Sequence, residues 1–396
     1  MKNLLLLTTV LSFALAPMAF AQEVDGTTFR TIEEGAWYHP VEPDNWIDYG
    51  ADEQVIFEVL SRIEAGEGPR RNPEQPDTLI AYGPGNWTYE FVAAGDAAMA
   101  QGRYQAAATY YHTASAPHTN NLNALAALDK ANEAYALATE SVVGEFRAVE
   151  IAHDGAVFTT FLHLPEGEGP FPVLVMSNGS DKAKVTELDY YLTHLQPKGI
   201  AFLTLDTPGM GDSRAFDVQD GITDKLHVAA IEWAMQQPEL DANNVFMQGI
   251  SFGGNAAART FLARPELDLA GVVYTCGPIA QVFEAPAAAY DHFPEFTIDG
   301  VKTRLGLEIG ANSEALTQRM RAVSLDGQGL LEGGMIDTPL LAINTNGDPV
   351  APLEEMDLLL ARAVNSDRVV FDEPGHCPPH DLREAIASAW IVQNLR

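Results

Sequence analysis

The chain has 396 residues and carries 55 Asp and Glu against 23 Lys and Arg, a formal net charge of −32 at pH 7. So acidic a surface repels polyanions, which argues against nucleic acid and anionic membranes as partners. The expected partner is a small-molecule substrate, and the oligomeric state stays open with a homodimer as one option. The length suffices for one large core plus an appendage.

The first 21 residues are predicted to be a secretory signal peptide. Lys2 gives a basic start, residues 4–16 are largely apolar, and small residues lead to a cleavage site after Ala21. A membrane anchor needs about 20 apolar residues, whereas Pro17 closes this run earlier. The mature protein, starting at Gln22, is therefore expected in the periplasm or the medium.

Residues 22–141 are predicted to form a helical, cap-like N-terminal domain. The helical patterns cover residues 53–63, 89–101, 104–114 and 122–138, with a polar connection over 66–77. These helices alone bury too little apolar surface to be stable. We therefore expect this domain to pack on the rest of the chain and to complete its substrate site.

From residue 142 to the end, strands alternate with helices, which predicts an α/β fold with a mainly parallel sheet. The eight predicted strands are 145–151, 157–164, 173–176, 201–205, 245–248, 271–274, 339–343 and 368–371, the first two forming a hairpin. The predicted helices are 185–195, 223–236, 252–263, 353–363 and 380–393. Residues 278–336 are too many for a simple crossover and are expected to be a helical insertion between strands six and seven, over the site.

A nucleophile elbow is the most specific motif of the chain. Ser251 stands between Gly249 and Gly253, after an apolar strand and before a helix. In such an elbow the serine has a strained backbone, so its neighbours two residues away must be small. The hydroxyl then projects above the sheet, and the N–H of Phe252 points at the oxygen that becomes negative.

The expected partners of Ser251 follow it along the chain. Asp348 comes directly after the seventh strand, and His376 lies in the loop after the last strand. The order Ser, Asp, His is that of α/β enzymes with this elbow. His376 would take the serine proton while Asp348 fixes its tautomer; Asp372 and His380 remain the rival partners.

Neither a metal nor another cofactor is expected. His376 and His380 stand four residues apart, as metal ligands on a helix do, but Pro378 would break such a helix. Two cysteines cannot form a disulfide framework. Cys276 and Cys377 are expected as free, buried thiols, with a single bridge as the alternative in an oxidising compartment.

The loop after the third strand is expected to supply the second oxyanion donor. Gly179 or Ser180 is the candidate for this N–H group. Asp181 places a carboxylate close to the developing negative charge. It either binds substrate or pairs with Lys182 or Lys184.

These residues carry a family resemblance. The glycine-flanked Ser251, the Asp-x-Pro-Gly-x-Gly turn at Asp206, Gly347-Asp348 and Gly375-His376 resemble the α/β-hydrolases. The helical N-terminal region with Trp87 and the 178–181 loop is similar to the FrsA-like esterases, a group similar to 2,6-dihydroxypseudooxynicotine hydrolase and fungal polyketide-shortening hydrolases. The resemblance implies an α/β-hydrolase fold and hydrolytic activity.

The first hypothesis is an exported serine hydrolase that cleaves carboxylic esters through an acyl-enzyme. A second is hydrolysis of a carbon–carbon bond next to a ketone, with the same serine and with Asp181 binding substrate. A third, in a different class, is a non-catalytic binding protein that uses its helical N-terminal domain. The intact set of Ser251, Asp348 and His376 argues against the third.

Overall fold

The computed structural model describes residues 41–65, 82–117, 121–293, 295–308 and 310–396. The signal peptide and the connection predicted over residues 66–77 lie outside these ranges and stay predictions. Within the described ranges, none of the helices has the length and apolar character needed to cross a membrane.

Five helices come first among the residues that the structure describes. They are α1 (Pro43–Asp48), α2 (Glu53–Ala65), α3 (Trp87–Ala100), α4 (Tyr104–Ser115) and α5 (Leu122–Thr139). The sequence predicted the last four but missed α1, whose six residues are too few for a periodic apolar pattern. A proline in its first turn is the signal that could have revealed it.

An eight-stranded sheet forms the centre of the molecule, in the order β1-β2-β4-β3-β5-β6-β7-β8. Its strands are β1 (Glu145–His153), β2 (Ala156–Leu164), β3 (Phe171–Ser177), β4 (Ala201–Thr204), β5 (Leu240–Ile250), β6 (Gly271–Thr275), β7 (Leu340–Thr345) and β8 (Ser366–Phe371). Strands β1 and β2 form an antiparallel hairpin, β2 is antiparallel to β4, and the other neighbours are parallel. The predicted fold class is confirmed.

Helices follow the strands and cover both faces of the sheet. They are α6 (Leu188–Tyr190), α7 (Lys225–Ala234), α8 (Phe252–Ala263), α9 (Gln281–Glu284), α10 (Ala287–Tyr290), α11 (Glu295–Arg304), α12 (Ser313–Val323), α13 (Leu353–Leu360) and α14 (His380–Gln393), with 3₁₀ turns at Lys184–Thr186, Gln196–Lys198, Gly211–Ser213 and Pro265–Leu267. In β3, Val173 and Val175 face α7, α8 and α13, whereas Leu174 and Met176 face α14. Because both faces are covered, β4, β6 and β7 are buried throughout, which explains why they are continuous apolar runs.

The segment predicted as one helix over residues 185–195 is irregular instead. It passes from a 3₁₀ turn through the short α6 into a π-helical turn (Tyr191–Leu195) and a second 3₁₀ turn (Gln196–Lys198). Pro197 in the last turn has no N–H to continue an α-helical ladder, and Gly199 then adopts a left-handed φ of 69°.

The N-terminal helices share a hydrophobic core with the sheet domain. Leu128 and Tyr135 of α5 belong to one buried cluster with Phe161 of β2 and Leu188 of α6. The Tyr135 hydroxyl lies 2.8 Å from a ring nitrogen of His163 in β2. The N-terminal helices are therefore packed against the sheet domain as part of one folded body.

A second contact between the N-terminal helices and the sheet domain, made by His112 of α4, is sensitive to acid. Its Nε2 accepts a hydrogen bond from the N–H of Ala183 at 3.1 Å, and burial lowers the pKa of the imidazole to about 4. In the unfolded chain a histidine has a pKa of about 6.5. The folded state thus binds fewer protons than the unfolded state between these values, and stability must fall as the pH falls.

We expect the contribution of His112 to the free energy of unfolding to be complete above about pH 6.5 and to be lost from there towards about pH 4. The amide oxygen of His112→Gln can accept the same hydrogen bond but does not titrate, so this variant should lose less stability over that interval. Urea unfolding at a series of pH values measures both chains. An identical pH dependence in the two would contradict the role given to His112.

Candidate active site

The nucleophile elbow lies between β5 and α8. Ser251 has φ 52° and ψ −117°, a strained backbone for a residue with a side chain. A Cβ on Gly253 would lie 2.6 Å from the carbonyl oxygens of Ser177 and Asn178, and one on Gly249 would collide with the carbonyl of Gly253. Glycine is therefore required on both sides of Ser251.

Ser251, His376 and Asp348 are joined by a line of hydrogen bonds. The Ser251 hydroxyl oxygen lies 2.8 Å from His376 Nε2, and both carboxylate oxygens of Asp348 lie 2.9 Å from His376 Nδ1. The Asp348 side chain is fully buried, and that of His376 is 27% exposed. The structure thus brings together three residues that are up to 125 positions apart in the chain.

Backbone donors hold Asp348 in place. Its Oδ1 accepts hydrogen bonds from the N–H groups of Val350 and Ala351 at 2.8 and 2.9 Å, and its Oδ2 accepts one from Cys377 at 3.3 Å. A carboxylate so held keeps its orientation towards the histidine.

Asp372 and His380, the rival partners suggested by the sequence, have other neighbours than Ser251. Asp372 accepts a hydrogen bond from the side-chain amide of Asn346 at 3.3 Å. His380 stacks on the ring of Tyr49 and lies 3.4 Å from an oxygen of Asp48.

The loop after β3 runs beside the serine. A Cβ on Gly179 would lie 3.3 Å from Ser251 Oγ and 3.1 Å from an oxygen of Asp181. Gly179 therefore lies directly against the nucleophile, and the carboxylate of Asp181 is close to the same place. Since Phe252 is the first residue of α8, its N–H has no acceptor within the helix.

Lys184 pairs with carboxylates other than Asp181. Its ammonium lies 2.9 Å from Asp206 and 2.5 Å from Asp212, and the side chains of Lys184 and Asp206 are fully buried. Burial alone would lower the pKa of this lysine, but the two carboxylates raise it above its usual value. Breaking such a pair costs about 3–5 kcal/mol. Lys184 is thus a structural anchor between the loop and the turn that starts at Asp206.

Lys182 is directed towards the N-terminal helices. Its ammonium donates a hydrogen bond to the Tyr49 hydroxyl at 2.5 Å and lies over the same ring. Burial lowers the pKa of this lysine, but Tyr49 and then Asp181 raise it above its usual value, so the charges of Lys182 and Asp181 interact.

Arg304 was not anticipated as a residue near the site. It is the last residue of α11, fully buried, and its guanidinium donates to the carbonyl oxygens of Ser180 at 2.8 Å and Gly209 at 3.3 Å. Burial lowers its pKa to about 10. The arginine fastens the insertion to the loop beside the nucleophile, and no local sequence pattern marks a side chain that binds two distant carbonyls.

The expectation of free thiols was wrong. Cys276, directly after β6, and Cys377, directly after His376, form a disulfide with Cα atoms 5.2 Å apart. The sequence analysis gave a single bridge only as the alternative. Nothing in the local sequence shows that two residues 101 positions apart meet in the fold. The bridge fixes the loop that carries His376 to the carboxyl end of the sheet.

A family profile and two relatives show the family of this chain. A profile described as "Esterase FrsA-like" matches residues 16–371. Esterase FrsA of Salmonella typhi is 33% identical over 375 residues, covering 91% of this chain and 89% of the relative. Esterase FrsA of Photobacterium profundum is 30% identical over 332 residues, covering 80% and 78%.

Among solved structures, 2,6-dihydroxy-pseudo-oxynicotine hydrolase superposes with a TM-score of 0.66 at 18% identity, covering 89% of this chain and 96% of that one. At that identity the likeness establishes a shared fold. Together with the profile and the two relatives, it leads to one conclusion: the chain belongs to the FrsA-like esterase family and is an esterase-like α/β-hydrolase.

Proposed function

We propose that the protein is an exported serine hydrolase that cleaves carboxylic esters through an acyl-enzyme. One observation carries the proposal: Ser251 Oγ, at the strained elbow, lies 2.8 Å from a histidine whose other nitrogen lies 2.9 Å from a buried carboxylate. A base within hydrogen-bond reach of the hydroxyl, itself oriented by an acid, is the arrangement that activates serine.

In the first half of the reaction, Ser251 Oγ attacks the ester carbonyl while His376 Nε2 takes the hydroxyl proton. Asp348 holds the ring in the required tautomer and stabilises the imidazolium. The tetrahedral oxyanion accepts hydrogen bonds from the N–H of Phe252 and from that of Gly179 or Ser180. His376 then returns the proton to the alcohol, which leaves.

In the second half, His376 activates water, which attacks the acyl group on Ser251 and frees the acid. The loop that carries Gly179 must keep its position through both steps. Arg304, bound to the carbonyl of Ser180, and the N-terminal domain, bound through His112 to Ala183, support that loop from two sides. We propose that the N-terminal helices complete the substrate site through this contact between His112 and Ala183.

A fluorophosphonate probe tests the proposal, since it reacts only with an activated serine. We expect one molecule of probe per chain, located on Ser251 by peptide mass spectrometry, with no label on heat-unfolded protein. Absence of labelling would favour the non-catalytic binding protein instead.

The position of Asp181 supports hydrolysis of a carbon–carbon bond next to a ketone as the alternative reaction. Its carboxylate lies against Gly179 near Ser251, where it would orient the polar group of a diketone for carbon–carbon hydrolysis. A panel of simple esters beside vinylogous diketones separates the two reactions. Turnover of esters by Asp181→Asn, with diketones left intact by both chains, would establish the esterase.

Export is proposed from the first 21 residues. The basic start, apolar run and small-residue cleavage site there are those of a signal peptide. The full-length chain produced in a Gram-negative host should appear in the periplasm or medium with Gln22 as its first residue. N-terminal sequencing checks this, and an intact Met1 on cytoplasmic protein would contradict it.

A further inference from the structure

The disulfide and the proposed catalytic histidine form a cluster of metal-ligating atoms. The sulfurs of Cys276 and Cys377 and a ring nitrogen of His376 all lie within 4.8 Å of one another. Cys377 Sγ is 3.6 Å from His376 Nε2, the nitrogen that faces Ser251. In the oxidised chain the two sulfurs are bonded to each other, so neither is a thiolate ligand.

We propose that reduction of this disulfide creates an inhibitory site for a thiophilic divalent cation such as Zn²⁺. The ligands would be the two cysteine sulfurs and His376 Nε2, with water in the fourth position. The inhibition rests on the proposed function, because it requires His376 to be the base; the binding of metal does not.

The distances suit a tetrahedral site. Zinc bonds to sulfur at about 2.3 Å and to imidazole at about 2.0–2.1 Å, so tetrahedral angles put sulfur and nitrogen about 3.6 Å apart. Cys377 Sγ and His376 Nε2 already have that separation. The two sulfurs would have to part to about 3.8 Å, which side-chain rotation allows once the bond between them is broken.

The surroundings of the histidine favour a metal on Nε2. Histidines that bind metals usually donate their other N–H to a carboxylate, a backbone carbonyl or water, which fixes the tautomer and raises the basicity of the ligating nitrogen. His376 has this partner in Asp348, at 2.9 Å from Nδ1. The arrangement that prepares the ring to accept a proton from Ser251 thus prepares it equally to accept a cation.

Proton and metal would compete for one lone pair. Ser251 Oγ lies 2.8 Å from the same Nε2 that would bind the metal. A bound cation removes the acceptor for the serine proton, so acyl transfer stops. When the disulfide forms, neither sulfur is available as a metal ligand, and His376 Nε2 is again the acceptor for the Ser251 proton.

Binding is tested with Co²⁺ as a spectroscopic probe. A water-soluble phosphine reduces the bond: the phosphine and one water become the phosphine oxide, and the two sulfurs each gain a hydrogen. After anaerobic removal of phosphine, Co²⁺ titration should produce thiolate-to-cobalt absorption that saturates at one equivalent. The oxidised chain, with all the same histidines and carboxylates, is the matched control and should not produce it.

Two further samples show whether the cysteine thiolates bind the metal. Reduced Cys276→Ser should bind Co²⁺ about tenfold or more weaker, because a thiolate ligand is lost. A reduced wild-type chain without the absorption overturns the proposal. So does absorption that is unchanged after both thiols have been alkylated.

Inhibition is measured as the activity of each chain with Zn²⁺ divided by its own activity without metal. Reduced wild type should lose activity at Zn²⁺ concentrations about tenfold or more below those that affect the oxidised chain, and a chelator should restore it. The Cys276→Ser/Cys377→Ser chain should show the weak response of the oxidised one. Equal sensitivity of all three chains overturns the inhibitory role.

A failure of the proposed function can be distinguished from a failure of the inhibitory role of the metal. If cobalt binds through thiolates but Zn²⁺ leaves activity intact, the activity of Ser251→Ala decides the cause. An active Ser251→Ala places the error in the proposed mechanism, whereas an inactive one places it in the inhibitory role of the metal.

Discussion

Replacing Ser251 by alanine is expected to lower kcat by about 10⁴- to 10⁶-fold, as losses of a serine nucleophile do elsewhere. The substitution removes the atom that would form the acyl-enzyme, and alanine supplies no hydroxyl in its place. Ser251 is only partly buried, and its backbone is held by an N–H bond to the carbonyl of Thr275 at 3.0 Å. The fold should therefore survive.

Steady-state hydrolysis of an ester and urea unfolding of both chains give the two measurements. Ser180→Ala is a suitable comparison, because the proposed mechanism uses only backbone groups of this loop serine and not its hydroxyl. Turnover by Ser251→Ala within about tenfold of the wild-type rate would show that another group is the nucleophile.

Replacing Asp348 by asparagine is expected to lower kcat by about 10³- to 10⁴-fold. The amide keeps the shape of the side chain, but its NH₂ group can donate to His376 Nδ1. Nε2 would then carry the hydrogen and could no longer accept the proton of Ser251. The backbone donors from Val350 and Ala351 would still find an acceptor in the amide oxygen.

Asp372→Asn is the matched control, since Asp372 follows the neighbouring strand and is the rival acid by sequence. It is exposed and hydrogen-bonded only weakly to Asn346, at 3.3 Å. Kinetics on both variants decide between the two acids. A severe loss in Asp372→Asn with a mild one in Asp348→Asn would reverse the assignment.

The sequence predicted those parts of the molecule that depend on local patterns. Helix α8 begins at Phe252 as predicted, because the glycines around Ser251 and the alanines after it leave little choice of structure. Asp348 and His376 were selected because each follows a strand, and parallel strands bring their carboxyl ends to the same edge of a sheet. The structure places both side chains at that edge.

Features that depend on distant contacts could not be predicted in the same way. Lys184 stands close to Asp181 in the chain, yet its partners are Asp206 and Asp212 across the sheet edge. The choice among three carboxylates depends on how the 3₁₀ turn at Lys184–Thr186 points the lysine, and no periodicity encodes that direction.

The bridge between Cys276 and Cys377 also determines what happens to a damaged chain. It spans 101 positions, and these include the whole insertion, β7 with Asp348, α13 and β8. A protease that cuts any exposed bond in this interval produces two pieces that stay covalently joined. Nicked enzyme would therefore migrate as one species on a denaturing gel until a reductant separates the fragments, and the piece that carries Ser251 would not be lost from the piece that carries His376.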